Sequence, residues 1–117
     1  MKYALAILVA LAASVDAQPK PATSQADMDA ARGAWTLCVL KEVETLDDGI
    51  SPASEVATAV QSSCPREYMR TLDTMYLERD ARAGMEQSRE KTTHDVAVRM
   101  VFMVRAKRRG ATASAPR

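Results

Sequence analysis

WTLCVLKEVETLDDGISPASEVATAVQSSC, residues 35–64, decides how this chain folds. Its ends hold the only two cysteines of the chain, Cys38 and Cys64, and its middle holds the turn signal D-D-G-I-S-P. Eleven residues run from Cys38 to Gly49 and twelve from Pro52 to Cys64. As helices these arms are about 16 and 18 Å long at 1.5 Å per residue. Two antiparallel arms of near-equal length bring both sulfurs to one level. The stretch therefore predicts a helical hairpin closed by a disulfide. The C-x-x-C spacing usual for a catalytic redox couple is absent, so the bridge is expected to be structural. Closing a loop of this length restricts the unfolded chain by about 3.5 kcal/mol.

Outward from that stretch, each arm has its own helix signals. Ser24 is placed to cap the first helix, with Asp27 three residues on. That helix is expected over residues 24–48, with Gly49 free to take the left-handed stop conformation. Met28, Ala31, Trp35, Cys38, Val39, Glu42, Val43 and Leu46 recur at three- and four-residue spacing and predict a core-facing stripe with Trp35 at its centre. Leu37 and Leu40 fall off it. Ser51 and Pro52 open a second helix, expected over residues 52–63, with Ala53, Val56, Ala57, Val60 and Cys64 on one face.

Beyond Cys64, Pro65 restarts a helix. Residues 65–109 read as one long helix, with a bend possible at Gly84, which costs about 1 kcal/mol relative to alanine. Glu78 with Arg82 and Asp95 with Arg99 are i,i+4 pairs on its surface. Residues 96–104, VAVRMVFMV, are the most apolar part after residue 17. They should be covered on one side by the hairpin, and a homo-oligomer covering the other side stays open. The fold class expected is all-α, a disulfide-linked helical hairpin packed on a long C-terminal helix, forming one domain over residues 24–109.

The flanks read differently. Residues 1–17 have a lysine at position 2, an eleven-residue apolar run and small residues before Ala17. This is an export signal with cleavage expected at Ala17-Gln18, and an address in the periplasm or outside the cell. The apolar run is too short for a comfortable permanent span, so no transmembrane protein is expected. Residues 18–23 are a linker with two prolines, and residues 110–117 are expected to be a disordered tail.

Charge is uneven along the chain. Residues 18–64 carry three Lys/Arg against seven Asp/Glu, whereas residues 65–117 carry twelve against seven. From Val96 to the end there are six basic residues and no acidic one. The simplest reading sets the acidic hairpin against the basic helix, whose cations also suit its negative end. An anionic surface or an envelope protein is the alternative partner. Nucleic acid is not expected, since no stacking aromatics accompany the basic run.

Catalytic signals are weak. No G-x-S-x-G motif or second histidine is present, and no thiol is left once the bridge forms. Glu90, His94, Met100 and Met103 could be arranged as a copper(I) set, but methionines at helical spacing are what a core requires. No metal, cofactor or catalytic residue is therefore assigned. The surface expected to bind is Val101, Phe102, Arg105 and Arg108.

The residues W-T-L-C (Trp35, Cys38) followed by SPASEVATAVQSSC (residues 51–64) resemble a class of small exported bacterial helical proteins with a Trp-x-x-Cys…Cys disulfide hairpin. The resemblance covers roughly residues 34–68 and implies export and a disulfide, but no activity. A fainter likeness, to the small disulfide-tied acid-stress chaperones of the periplasm, implies a holdase. Such a protein would expose Leu37, Leu40 and Phe102 on acidification. The function expected from the sequence is a non-enzymatic binding or structural protein of the bacterial envelope, with the holdase as the alternative.

Overall fold

Five helices and no strand make up the described part of the protein, residues 24–113 of a computed structural model. The expected signal (1–17), linker (18–23) and last four residues lie outside it. α1 is Gln25–Leu46, α2 Ala53–Val60, α3 Pro65–Asp73, α4 Arg79–Gln87 and α5 Arg89–Ala113.

α1 begins where its cap predicts. The Asp27 amide donates to Ser24 Oγ at 3.1 Å, satisfying one of the free donors of the first turn. Ala31, Trp35, Val39 and Val43 are buried, so the middle of the stripe faces the core as its spacing requires, whereas Leu46 at its end is 45% exposed. The helix stops at Leu46, two residues early, because Asp47 takes an extended conformation. Gly49 then takes the left-handed backbone, at φ 76°. α2 starts one residue later than expected, with Pro52 as its N-cap, and buries Ala53, Val56, Ala57 and Val60.

The disulfide joins Cys38, midway along α1, to Cys64, with the Cα atoms 6.1 Å apart. The return arm is not one continuous helix. α2 ends at Val60, and the Ser63 amide closes a turn on the Val60 carbonyl at 2.8 Å. Cys64 follows with φ 62°, the left-handed region, where a side chain is strained. Pro65 then sets the first turn of α3.

The single helix expected over residues 65–109 is instead three. α3 ends at Asp73 because Thr71 and Thr74 offer local alternatives to the α-helical bonds. Thr74 Oγ donates to the Thr71 carbonyl at 2.7 Å, and the Met75 amide reaches only to Leu72 at 3.0 Å. The second break falls at Ser88, where Ser88 Oγ donates to the Met85 carbonyl at 3.2 Å. Gly84, where a bend was anticipated, lies inside α4 with helical backbone. The helix long enough to carry the hairpin is α5, and it continues through residues 110–113, past its expected end at Arg109.

α5 is the floor of the fold. α2 packs along it, and α1 packs on α5, α2 and α3. Trp35, Val39, Val43, Val56, Val60, Tyr68, Leu72, Ala97, Met100, Val101 and Val104 form one core, with Cys64 inside it and Cys38 against it. Trp35 meets Tyr68 edge to face, with ring centroids 5.7 Å apart. The Tyr68 hydroxyl donates to the Met85 carbonyl at 2.8 Å, holding α4 to α3. α4 itself buries no residue.

Candidate functional site

The turn between α1 and α2 sits against the C-terminal half of α5, and there the charge asymmetry of the chain becomes specific. The Asp47 side chain is fully buried. Arg105 Nη2 donates to Asp47 Oδ1 at 2.7 Å and also to the Ser51 carbonyl. Arg105 Nε adds longer bonds to both carboxylate oxygens, at 3.2 and 3.3 Å. Arg108 Nη1 reaches Asp47 Oδ2 at 3.3 Å, and its Nη2 reaches the Glu44 carbonyl at 3.3 Å. One carboxylate thus receives two guanidinium groups, and Asp47 also accepts the Gly49 amide at 3.1 Å. The forked bonds suit arginine, whose planar donors match a carboxylate.

These bonds hold the Asp47 carboxyl below its ordinary range. The Arg105 hydrogen bond is the main cause, opposed by burial and assisted by the Gly49 amide. Asp48 does a neighbouring job. It accepts the Ser51 hydroxyl at 2.6 Å and the Ser51 and Ile50 amides at 2.7 and 2.9 Å. Bonds from Ser51 lower its carboxyl to about 2, with the Ile50 amide adding to them.

The surface expected to bind comes apart in three dimensions. Val101 has no exposed surface and belongs to the core. Arg105 and Arg108 are engaged on Asp47. Of the four residues only Phe102 stands free, 60% exposed. The spacing explains it: 101, 105 and 108 lie one helical turn apart and share the inner side of α5, with 102 turned away.

The outward side of the same helix joins Phe102 of the expected surface to cations that surface did not include. Arg99, Phe102, Met103, Ala106, Lys107 and Arg109 are all exposed, Met103 at 66%. Arg99, Lys107 and Arg109 have no ion-pair partner among the described residues. The expected Asp95–Arg99 pair does not form, because Asp95 pairs with Lys91 at 3.3 Å. Nor does Glu78 hold Arg82, which bridges Asp73 at 2.7 Å and Glu86 at 3.0 Å. The signal for this outer face was present in the run of cations after Val96, but separating it from the inner one needs the position of α1.

No metal or catalytic constellation assembles from the residues weighed for one. Met100 is in the core while Met103 points outward, and Glu90 accepts a bond from Ser62 Oγ at 3.3 Å instead of meeting His94. Among the described residues Cys38, Cys64 and Glu67 come close enough to share an ion, but the bridged sulfurs offer no thiolate. A groove beside the bridge, about 420 Å³ and lined by Leu37, Cys38, Lys41, Glu67 and Arg70, contains no histidine, serine or free thiol. No described helix is long and apolar enough to cross a membrane. No protein-family model matches the chain, and neither a curated protein nor a solved structure matches it.

Proposed function

We propose that this is a non-enzymatic exported protein of the bacterial envelope that works by binding, and that its working surface is the outer face of α5. The observation that carries the reading is the contrast in how the cations of that helix are used. Arg105 and Arg108 hold the hairpin, whereas Arg99, Lys107 and Arg109 face solvent beside Phe102 and Met103. After Asp95 no carboxylate remains on the helix to neutralise them. Such a surface favours an anionic partner.

The test is a panel of immobilised anions: polyglutamate, polyphosphate and an anionic phospholipid. At least one should retain the protein and release the triple variant Arg99→Gln, Lys107→Gln, Arg109→Gln. Equal retention of both proteins on every matrix, or of neither on any, would rule the surface out. Export has its own check. The mature protein should begin at Gln18 and contain no free thiol; a mature form that keeps Met1 contradicts the proposed address.

The holdase reading fits less well. Leu40 is packed against the core, and only Leu37 and Phe102 of its three apolar residues are freely exposed. Asp47 also keeps its charge below the ordinary carboxylate range, which works against opening of the hairpin in mild acid.

A further inference from the structure

Resting on that reading, we infer that the anionic partner is a phospholipid surface, which the outer face of α5 meets side-on with Phe102 and Met103 entering among the headgroups. Two features favour a lipid surface over an acidic protein, and a third disfavours a second copy of this chain.

The first is shape. The face is the exposed ridge of one helix, with large apolar side chains only at Phe102 and Met103, and at its edge Lys107 lines a groove with Glu44, Val104, Arg108 and Ala111. A protein partner would need a groove fitted to that ridge to bury useful area, whereas a headgroup layer yields around it. The second is the order of residues. Arg99 lies one turn before the apolar pair, Lys107 and Arg109 lie one to two turns after it, and Ala106 between them leaves the ridge low. From Arg99 to Arg109 the ridge is about 15 Å long. Lys107 and Arg109 are two residues apart and so stand about 160° apart around the helix, one on each flank of the face with Phe102 and Met103 between them, an arrangement that can lie in the plane of an anionic surface. The long arginine and lysine stems reach phosphate oxygens while the pegs go deeper. The third is sign. A second copy of this chain would bring three cations against three, so the face repels itself. The apolar inner side of α5 is already buried under α1 and α2. Insertion is therefore confined to two side chains, and attachment is shallow, reversible and dominated by charge.

Each cation near an anionic membrane strengthens binding by about fivefold. Flotation with vesicles of phosphatidylcholine alone, and of phosphatidylcholine and phosphatidylglycerol in equal parts, measures this, with soluble polyglutamate as the second arm. The full-length mature protein should float with the anionic vesicles only, and raising the salt should release it. The triple Arg99→Gln, Lys107→Gln, Arg109→Gln variant should bind about a hundredfold more weakly. Phe102→Ser should weaken binding by about tenfold. All four positions are exposed, so urea unfolding should show these variants folded as the parent is. Binding to polyglutamate but not to anionic vesicles would overturn the lipid assignment and leave the broader reading standing. Binding to neither would overturn the lipid assignment, and the broader reading falls with it if polyphosphate also fails to retain the protein. Vesicle binding that survives the triple substitution would show that another face is responsible.

Discussion

The α1–α2 hairpin is closed at both ends, and the two closures are chemically unlike. At the open end Cys38 and Cys64 are joined covalently. At the turn end Asp47 is gripped by Arg105 and Arg108 from α5. The first closure is internal to the hairpin and acts mainly by restricting the unfolded chain. The second ties the hairpin to the floor beneath it and exists only when both are in place. The bridge makes no bond to α5; the apolar core shared with α1 and α2, together with the clamp, seats the hairpin on one face of α5 and leaves the other outside.

The largest effect that separates the two ends should come from the bridge. Replacing Cys38 and Cys64 together by alanine should lower stability to urea by about 3.5 kcal/mol, leaving the acid dependence of stability unchanged. Arg105→Met should come next, at about 3 kcal/mol, with no change in thiol content. It leaves the buried Asp47 carboxylate short of its best partner. Asp47→Asn should cost less, about 2 kcal/mol, because the released guanidinium groups can turn toward water. Cys38 and Asp47 are nine residues apart on a helix, about 13 Å, so losses at the two ends should add. A strongly non-additive combination would mean that the ends act as one unit.

The pH dependence sharpens the same contrast. Asp47 titrates lower in the folded protein than its ordinary value of 3.8. Its contribution is therefore complete above that value and is lost as pH falls through the lower folded one. Asp48, lowered to about 2, acts in the same direction. Stability should hold down to about pH 4 and fall beneath it. In the Asp47→Asn protein that fall should be shallower, as urea midpoints at stepped pH would record.

Only one closure was legible before the structure. Two cysteines placed symmetrically about D-D-G-I-S-P announce their own pairing, since a disulfide depends on spacing along the chain. Periodicity also identified the buried stripe of α1, from Ala31 to Val43, and the apolar face of α2. Asp47 gave no such signal. It sits 58 residues from Arg105, and a carboxylate at the end of a helix reads as solvated until another helix is laid beside it. The same limitation put Val101, Arg105 and Arg108 on a binding surface. Which side of α5 is covered is decided by α1 and α2, and α5's own apolar residues run around much of its circumference. The breaks at residues 74–78 and Ser88 were hidden because Met69, Leu72, Met75 and Tyr76 keep helical spacing across the first. Threonine and serine bonds to the backbone, not glycine, end those helices.

The smallest expected effect is the most informative one. Arg105 and Arg109 lie four residues apart on α5, one helical turn, and so point within about 40° of each other, but only Arg105 reaches Asp47. Arg109 faces solvent without an ion-pair partner among the described residues, so Arg109→Met should change stability by less than about 0.5 kcal/mol.

Urea unfolding of Arg105→Met and Arg109→Met, run side by side, measures whether the structural work of α5's cations is confined to those that reach Asp47. A loss of about 3 kcal/mol in the first and none resolvable in the second is the predicted result. Equal losses in both, or a greater loss at Arg109, would contradict it.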